Sequence, residues 1–162
     1  MTAARTLIVF DSVFGNTEQV ARAMGKAIGS PADTETLRAS EVRPEHLNGL
    51  RLLIVGSPTR AFRPTKPVTD FLDSIPPGGL KGVKVAAFDT RISAADVRSR
   101  FLNVMVRLFG YAAKPIADRL EKKGGALAAP PEGFFVKDSE GPLKDGELER
   151  AAAWAKSLVR TW

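Results

Sequence analysis

Cysteine is absent from this chain of 162 residues. That excludes disulfides, thiolate metal sites and a catalytic thiol, so any redox chemistry needs a bound cofactor. There is one histidine, His46, with no second histidine or carboxylate at ligand spacing, and it is read as a surface residue with no role in a site. No apolar run approaches the length of a membrane span, and neither internal repeats nor low-complexity segments occur. The Gly-Lys-Ser or Gly-Lys-Thr phosphate loop of nucleoside triphosphatases is missing, as is the Gly-x-Gly-x-x-Gly turn of dinucleotide folds. Negative charge is scarce as well: 18 acidic residues stand against 24 basic ones, a net charge of +6.

The rest of the composition is that of a globular protein. Hydrophobic residues make up 44% and charged residues 26%, and the length suits a single domain with a full core, residues 1–162. Lysines and arginines are spread along the whole chain without a recognition-helix motif, an RNA-binding aromatic signature or a basic tail. Nucleic acid is therefore not expected as a partner, and neither is a membrane. The opening MTAARTLIVF enters an apolar strand pattern almost at once and leaves no room for a signal peptide, which makes a cytoplasmic location the expectation.

The most informative stretch is residues 7–17, LIVFDSVFGNT. Leu7 to Phe10 form a continuous apolar run of the buried-strand type. Ser12, Gly15, Asn16 and Thr17 then turn the chain into a helix whose apolar positions include Val20, Met24 and Ile28. A strand, a tight polar turn and a helix start together make an anion site, because the first amides of a helix lack internal partners and sit at the positive end of its dipole. With no lysine in the turn, the pattern points to a small phosphate ester.

Residues 12–18, Ser12-Val13-Phe14-Gly15-Asn16-Thr17-Glu18, resemble the phosphate loop of flavodoxins: a hydroxyl residue, two variable positions, then Gly-Asn-Thr-Glu at the head of the first helix. In that family the loop holds the monophosphate of FMN. The resemblance implies FMN as the cofactor, with Ser12, Val13, Phe14, Gly15, Asn16 and Thr17 at its phosphate.

Strand and helix signals alternate along the remainder. A short edge strand is expected at residues 34–37, a turn of helix and a loop at 44–50, and a central strand at 51–57. Val68, Phe71, Leu72 and Ile75 mark the next helix, and residues 84–89 the next buried strand. Val97 to Phe109 carry apolar residues at helical spacing, followed by a further helix around Ile116 and Leu120, kinked from the first near Pro115. Residues 126–129 and 134–136 share one last strand position, interrupted by Pro130-Pro131. A closing helix is expected at 145–160, with Trp154 off its buried stripe as boundary packing.

This alternation implies a parallel sheet with helices on both faces, and the resemblance implies an α/β flavodoxin-like three-layer sandwich whose five-stranded sheet has the order 2-1-3-4-5. Its ligand crevice lies outside the C-terminal ends of strands 1 and 3, where loops 11–17, 57–66 and 89–93 meet. In flavodoxins these loops hold the phosphate, then the ribityl chain and one ring face, then the other ring face. The resemblance thus adds Pro58, Thr59, Arg60 and Phe62, and Asp89, Thr90 and Arg91, as cofactor-binding residues.

The chain departs from the family pattern around the ring. Arg60 stands where flavodoxins usually have Trp, with Phe62 two residues on, and the third loop holds no aromatic residue where Tyr is usual. Each lost stack removes about 1–3 kcal/mol unless another planar group replaces it, which Arg60 or Phe62 can do. Flavodoxins are also mostly acidic, whereas Arg60, Arg63, Lys66, Arg91, Arg98 and Arg100 give this crevice a basic rim. The implied function is an FMN-binding, low-molecular-weight electron carrier rather than a stand-alone oxidoreductase. Its expected partner is an acidic redox protein or a small anionic substrate. The alternatives are an NAD(P)H:quinone oxidoreductase of flavodoxin-like type, or a flavin-free binding or regulatory module on the same fold.

Overall fold

The computed structural model describes residues 5–29, 33–60, 63–92 and 111–160. The helix expected over 97–109, together with Phe62, Ser93, Arg98 and Arg100, lies outside the described residues. Along the chain run β1 (Arg5–Phe10), α1 (Asn16–Ile28), β2 (Thr34–Arg38), β3 (Leu50–Pro58), α2 (Lys66–Ser74) and β4 (Lys84–Ile92). They are followed by α3 (Ala113–Lys122), β5 (Ala126–Leu127), β6 (Glu132–Val136) and α4 (Glu147–Val159). Two short 3-10 turns, Ala39–Glu41 and Pro44–Leu47, join β2 to β3. No helix among the described residues is long and apolar enough to cross a membrane.

Every strand pairing is parallel, in the order β2-β1-β3-β4 with β5 and β6 beside β4. Both faces of the sheet are covered, which is why the central strands read as unbroken apolar runs rather than as alternation. Side chains pointing one way, Leu7, Val9, Leu53, Val55, Val85 and Ala87, pack on Val68, Phe71 and Leu72 of α2 and Ile116 and Leu120 of α3. Those pointing the other way, Ile8, Phe10, Leu52, Ile54, Ala86 and Phe88, pack on Val20 and Met24 of α1 and Ala151, Ala155 and Leu158 of α4. Trp154 stays half-buried at the edge of this second core, with its ring edge-on to Phe88 and Phe134 at 6.3 and 6.0 Å.

The last strand position is split. β5 pairs with the start of β4 and β6 with its end, Phe88 opposite Glu132 through Ile92 opposite Val136, while Pro130-Pro131 fall in the gap. Among the described residues, six strands thus occupy five positions.

One expectation needs correction. Residues 89–92 are strand rather than loop, because β6 pairs alongside them through Ile92 and β3 pairs through Pro58 opposite Thr90. The kink expected near Pro115 would join α3 to the helix over 97–109, which lies outside the described residues; Pro115 itself falls in the first turn of α3, where a missing N–H breaks no intrahelical bond.

Candidate functional site

The chain leaves β1 toward one edge of the sheet and β3 toward the other, so a crevice opens between their C-terminal ends. Asp11 extends the pairing by one step, its N–H donating to the Gly56 carbonyl at 3.2 Å. The chain then turns sharply. Ser12 Oγ accepts the Gly15 N–H at 3.0 Å, and Gly15 adopts φ +95°, a left-handed conformation that strains any residue with a Cβ. Gly15 caps α1, and no side chain satisfies the cap, so the first-turn amides at the positive end of the helix are left for an outside acceptor.

The same turn is tied to the rest of the crevice. The hydroxyls of Thr17 and Thr90 share a buried hydrogen bond of 2.7 Å that joins α1 to β4. Asn16 Nδ2 donates to the Glu140 carbonyl at 3.1 Å, drawing in the segment that follows β6. Arg38, at the end of β2, donates to the Ser12 carbonyl and to Glu18, each at 3.1 Å, and lies over the Phe10 ring at 5.2 Å. Sequence reasoning missed Arg38. The signal for it is register: Phe10 and Arg38 are direct neighbours across β1 and β2, so a long side chain at that position reaches the turn that begins one residue on.

In the second loop, Thr59 donates its N–H to the Thr90 carbonyl at 3.0 Å, and its hydroxyl accepts the Ala112 N–H at 3.2 Å. Arg60 and Arg63 exchange both backbone hydrogen bonds at 2.9 Å, and the Arg60 guanidinium sits 5.8 Å from the centre of the Phe14 ring.

At the end of β4, Asp89 is fully buried. Arg91 grips it with a two-pronged fork, Nε to Oδ1 at 2.6 Å and Nη2 to Oδ2 at 2.8 Å, and the Ala113 N–H adds a third bond at 2.9 Å. Burial pushes the Asp89 carboxyl upward, while Arg91 and then the Ala113 amide pull it back. The guanidinium is itself sandwiched. The Tyr111 ring lies 3.8 Å away on one side, and Gly133 lies on the other, where an added Cβ would come within 2.2 Å of the guanidinium carbon. Arg91 is therefore not a free cation on the rim.

These elements enclose a cleft of about 330 Å³. From the expected residues it is lined by Ser12, Val13, Phe14, Asn16 and Thr17, by Pro58, Thr59 and Arg60, and by Thr90 and Arg91. Gly15 shapes the turn without lining the cleft, Asp89 lies beneath it, and Phe62 lies outside the described residues. Ile92, Val136, Ser139 and Glu140 complete the wall and were not foreseen. Val136 arrives there through its pairing with Ile92. A larger apolar pocket of about 460 Å³, between the 3-10 turns and α2, lies at the N-terminal ends of the strands, away from the uncapped helix.

Solved structures share the fold. A flavodoxin from the domain Archaea superposes with a TM-score of 0.75 at 21% identity, covering 97% of this chain and 97% of that one. Flavodoxin 1 from Bacillus cereus gives 0.76 at 20% identity, over 98% of this chain and 99% of its own. The chain has the flavodoxin fold. A flavodoxin-fold body also accounts for the likeness to the rubredoxin oxygen:oxidoreductase of Desulfovibrio gigas, at a TM-score of 0.67 and 19% identity over 97% of this chain but only 35% of that larger one. At the level of sequence, no protein-family model and no curated protein matches. The flavodoxin fold accounts for where the crevice lies; what the crevice holds rests on its own residues.

Proposed function

We propose that the cleft binds FMN and that the protein works as a low-molecular-weight electron carrier. The observation that carries this reading is the first turn of α1, left without a side-chain cap behind a left-handed Gly15 and flanked by the Ser12 and Thr17 hydroxyls and the Asn16 amide. Such a donor set suits the dianion of a phosphate monoester and needs no cation. The turn 12–17 would hold the phosphate. Phe14, Thr59, Arg60, Arg91, Ile92 and Val136 supply walls for a planar ring system, with the Phe14 face and the Arg60 guanidinium among them.

FMN, when bound, supplies the transfer of one or two electrons. The side chains around it position it: the Thr17–Thr90 bond fixes the turn against β4, and the Asn16–Glu140 bond closes the wall opposite the second loop.

Titration with FMN, followed by absorption and by quenching of flavin fluorescence, tests the reading. Binding of FMN at least about tenfold tighter than of riboflavin, which lacks the phosphate, is the expected result. No spectral change in excess FMN would leave the flavin-free binding module instead. Steady-state NAD(P)H oxidation with a quinone acceptor separates carrier from oxidoreductase, since a carrier turns over only with partner proteins present.

A further inference from the structure

At the mouth of the cleft, Val13 is 51% exposed and Phe14 47%, more than any other large hydrophobic side chain among the described residues. One exposed apolar residue is ordinary. Two in succession on the rim of the cleft are not needed to form the turn, which is made by Ser12 Oγ and the Gly15 backbone, and although both line the cleft they keep about half their surface in solvent.

Two guanidinium groups stand beside them. Arg60 and Arg63 are mounted on a backbone pairing that fixes where both side chains start, and Arg60 covers one side of the Phe14 ring. Neither pairs with a carboxylate among the described residues. Arg22, Arg38 and Arg91 are each paired, and Lys66, at the start of α2, is bound to Asp70 at 2.7 Å. The carboxylate-bearing residue that lines the cleft, Glu140, comes from the segment after β6 and forms no ion pair with Arg60 among the described residues.

A small anion would use the guanidinium groups and leave Val13 and Phe14 in water. A protein surface covers both, with apolar contact at the centre and carboxylates around it, and arginine beside an aromatic ring is the residue pairing that dominates such contacts. We propose that Val13, Phe14, Arg60 and Arg63 form the docking surface for an acidic protein. The electron-carrier reading enters only in making that protein a redox partner; the surface itself exists without the cofactor.

The test is a ¹⁵N-detected titration of the whole protein, with and without added FMN, against two redox proteins of opposite charge: an acidic plant-type ferredoxin and a basic cytochrome c. Ferredoxin at low ionic strength should shift the amide signals of residues 13, 14, 60 and 63, with binding about tenfold weaker at high salt. Arg60→Glu with Arg63→Glu should remove that salt dependence, and Phe14→Ser should weaken binding about tenfold at either ionic strength. Ferredoxin shifts elsewhere on the surface, no shifts at all, or equal shifts from cytochrome c would overturn the proposal. Flavin absorption in the same samples reports on the cofactor separately: a chain that takes no FMN but binds ferredoxin here keeps the surface and loses the carrier role. The wild-type shift map decides the matter even if a variant folds poorly.

Discussion

Arg91 forks onto a carboxylate buried beneath the cleft, and a cation matched so closely to an anion projects little net field onto whatever binds above. Arg60, exposed and without a carboxylate partner among the described residues, keeps its charge. From sequence both arginines are expected to ease reduction of a bound flavin, and the structure separates them. Arg60→Gln should lower the potential of the second one-electron couple by some tens of millivolts, since an exposed rim charge contributes ~1 kcal/mol and ~1.4 kcal/mol corresponds to ~59 mV. Arg91→Gln should barely move that potential. It should instead cost about 3–5 kcal/mol of stability by leaving Asp89 buried and unpaired. The loss has a sign with pH. Burial already raises the Asp89 carboxyl, and without Arg91 it rises further, so the variant's deficit against wild type is smallest in acid, where Asp89 is protonated, and grows as pH rises. Redox titration of both variants, with urea melts at about pH 4 and about pH 7.5, checks this; a potential drop in Arg91→Gln as large as in Arg60→Gln would refute it.

Among the elements, β6 brings Val136 to the cleft, and one carboxylate ties β6 to α4. Glu147 accepts the Phe135 N–H at 2.7 Å and both prongs of Arg150, at 2.9 and 2.7 Å, while Arg150 also donates to the Gly133 carbonyl and lies over the Phe134 ring. Arg150 holds the Glu147 carboxyl below its usual range despite the opposing effect of burial. A depressed carboxyl stabilises the fold above its unfolded pKa and loses that contribution as pH falls through the folded value. Glu147→Gln should therefore be about 1–2 kcal/mol less stable at neutral pH, with the gap closing on acidification. Denaturant midpoints across the acid range measure it, and a gap constant with pH would count against the assignment. The same region shows what was legible in the sequence. The split last strand position could be read from Pro130-Pro131, because proline acts locally. The end of β4 could not: Asp89, Thr90 and Arg91 are polar residues held extended only because β3 and β6 flank them. Arg38 escaped for a similar reason, its role depending on a strand register that spans a whole helix.

For the molecule as a whole, the parallel sheet with both faces covered followed from the alternation of elements, since buried apolar runs and helical stripes record which faces are covered, whereas the strand order, and with it the crevice position, came from the resemblance of residues 12–18 to the flavodoxin phosphate loop. Ligand binding should appear as stability of the entire fold. FMN at about 100 times its dissociation constant adds ~2.7 kcal/mol, roughly 5–11 °C in Tm for a chain of this length, and riboflavin at the same concentration should add clearly less. An unchanged Tm in excess FMN would sink the cofactor assignment. The edge of the sheet adds a dynamic consequence. β2 is bonded to β1 alone, yet Arg38 at its end grips the carbonyl of Ser12 in the turn. Edge strands open before the core does, so each opening of β2 pulls that grip loose. Amide-deuterium exchange in β2 should accordingly slow when the cleft is filled, although no residue of β2 lines it, and the effect should vanish in Arg38→Ala. An edge strand of the sheet then acts as a latch on the turn, and its opening rate sets an upper limit on how fast a ligand released by that route can leave.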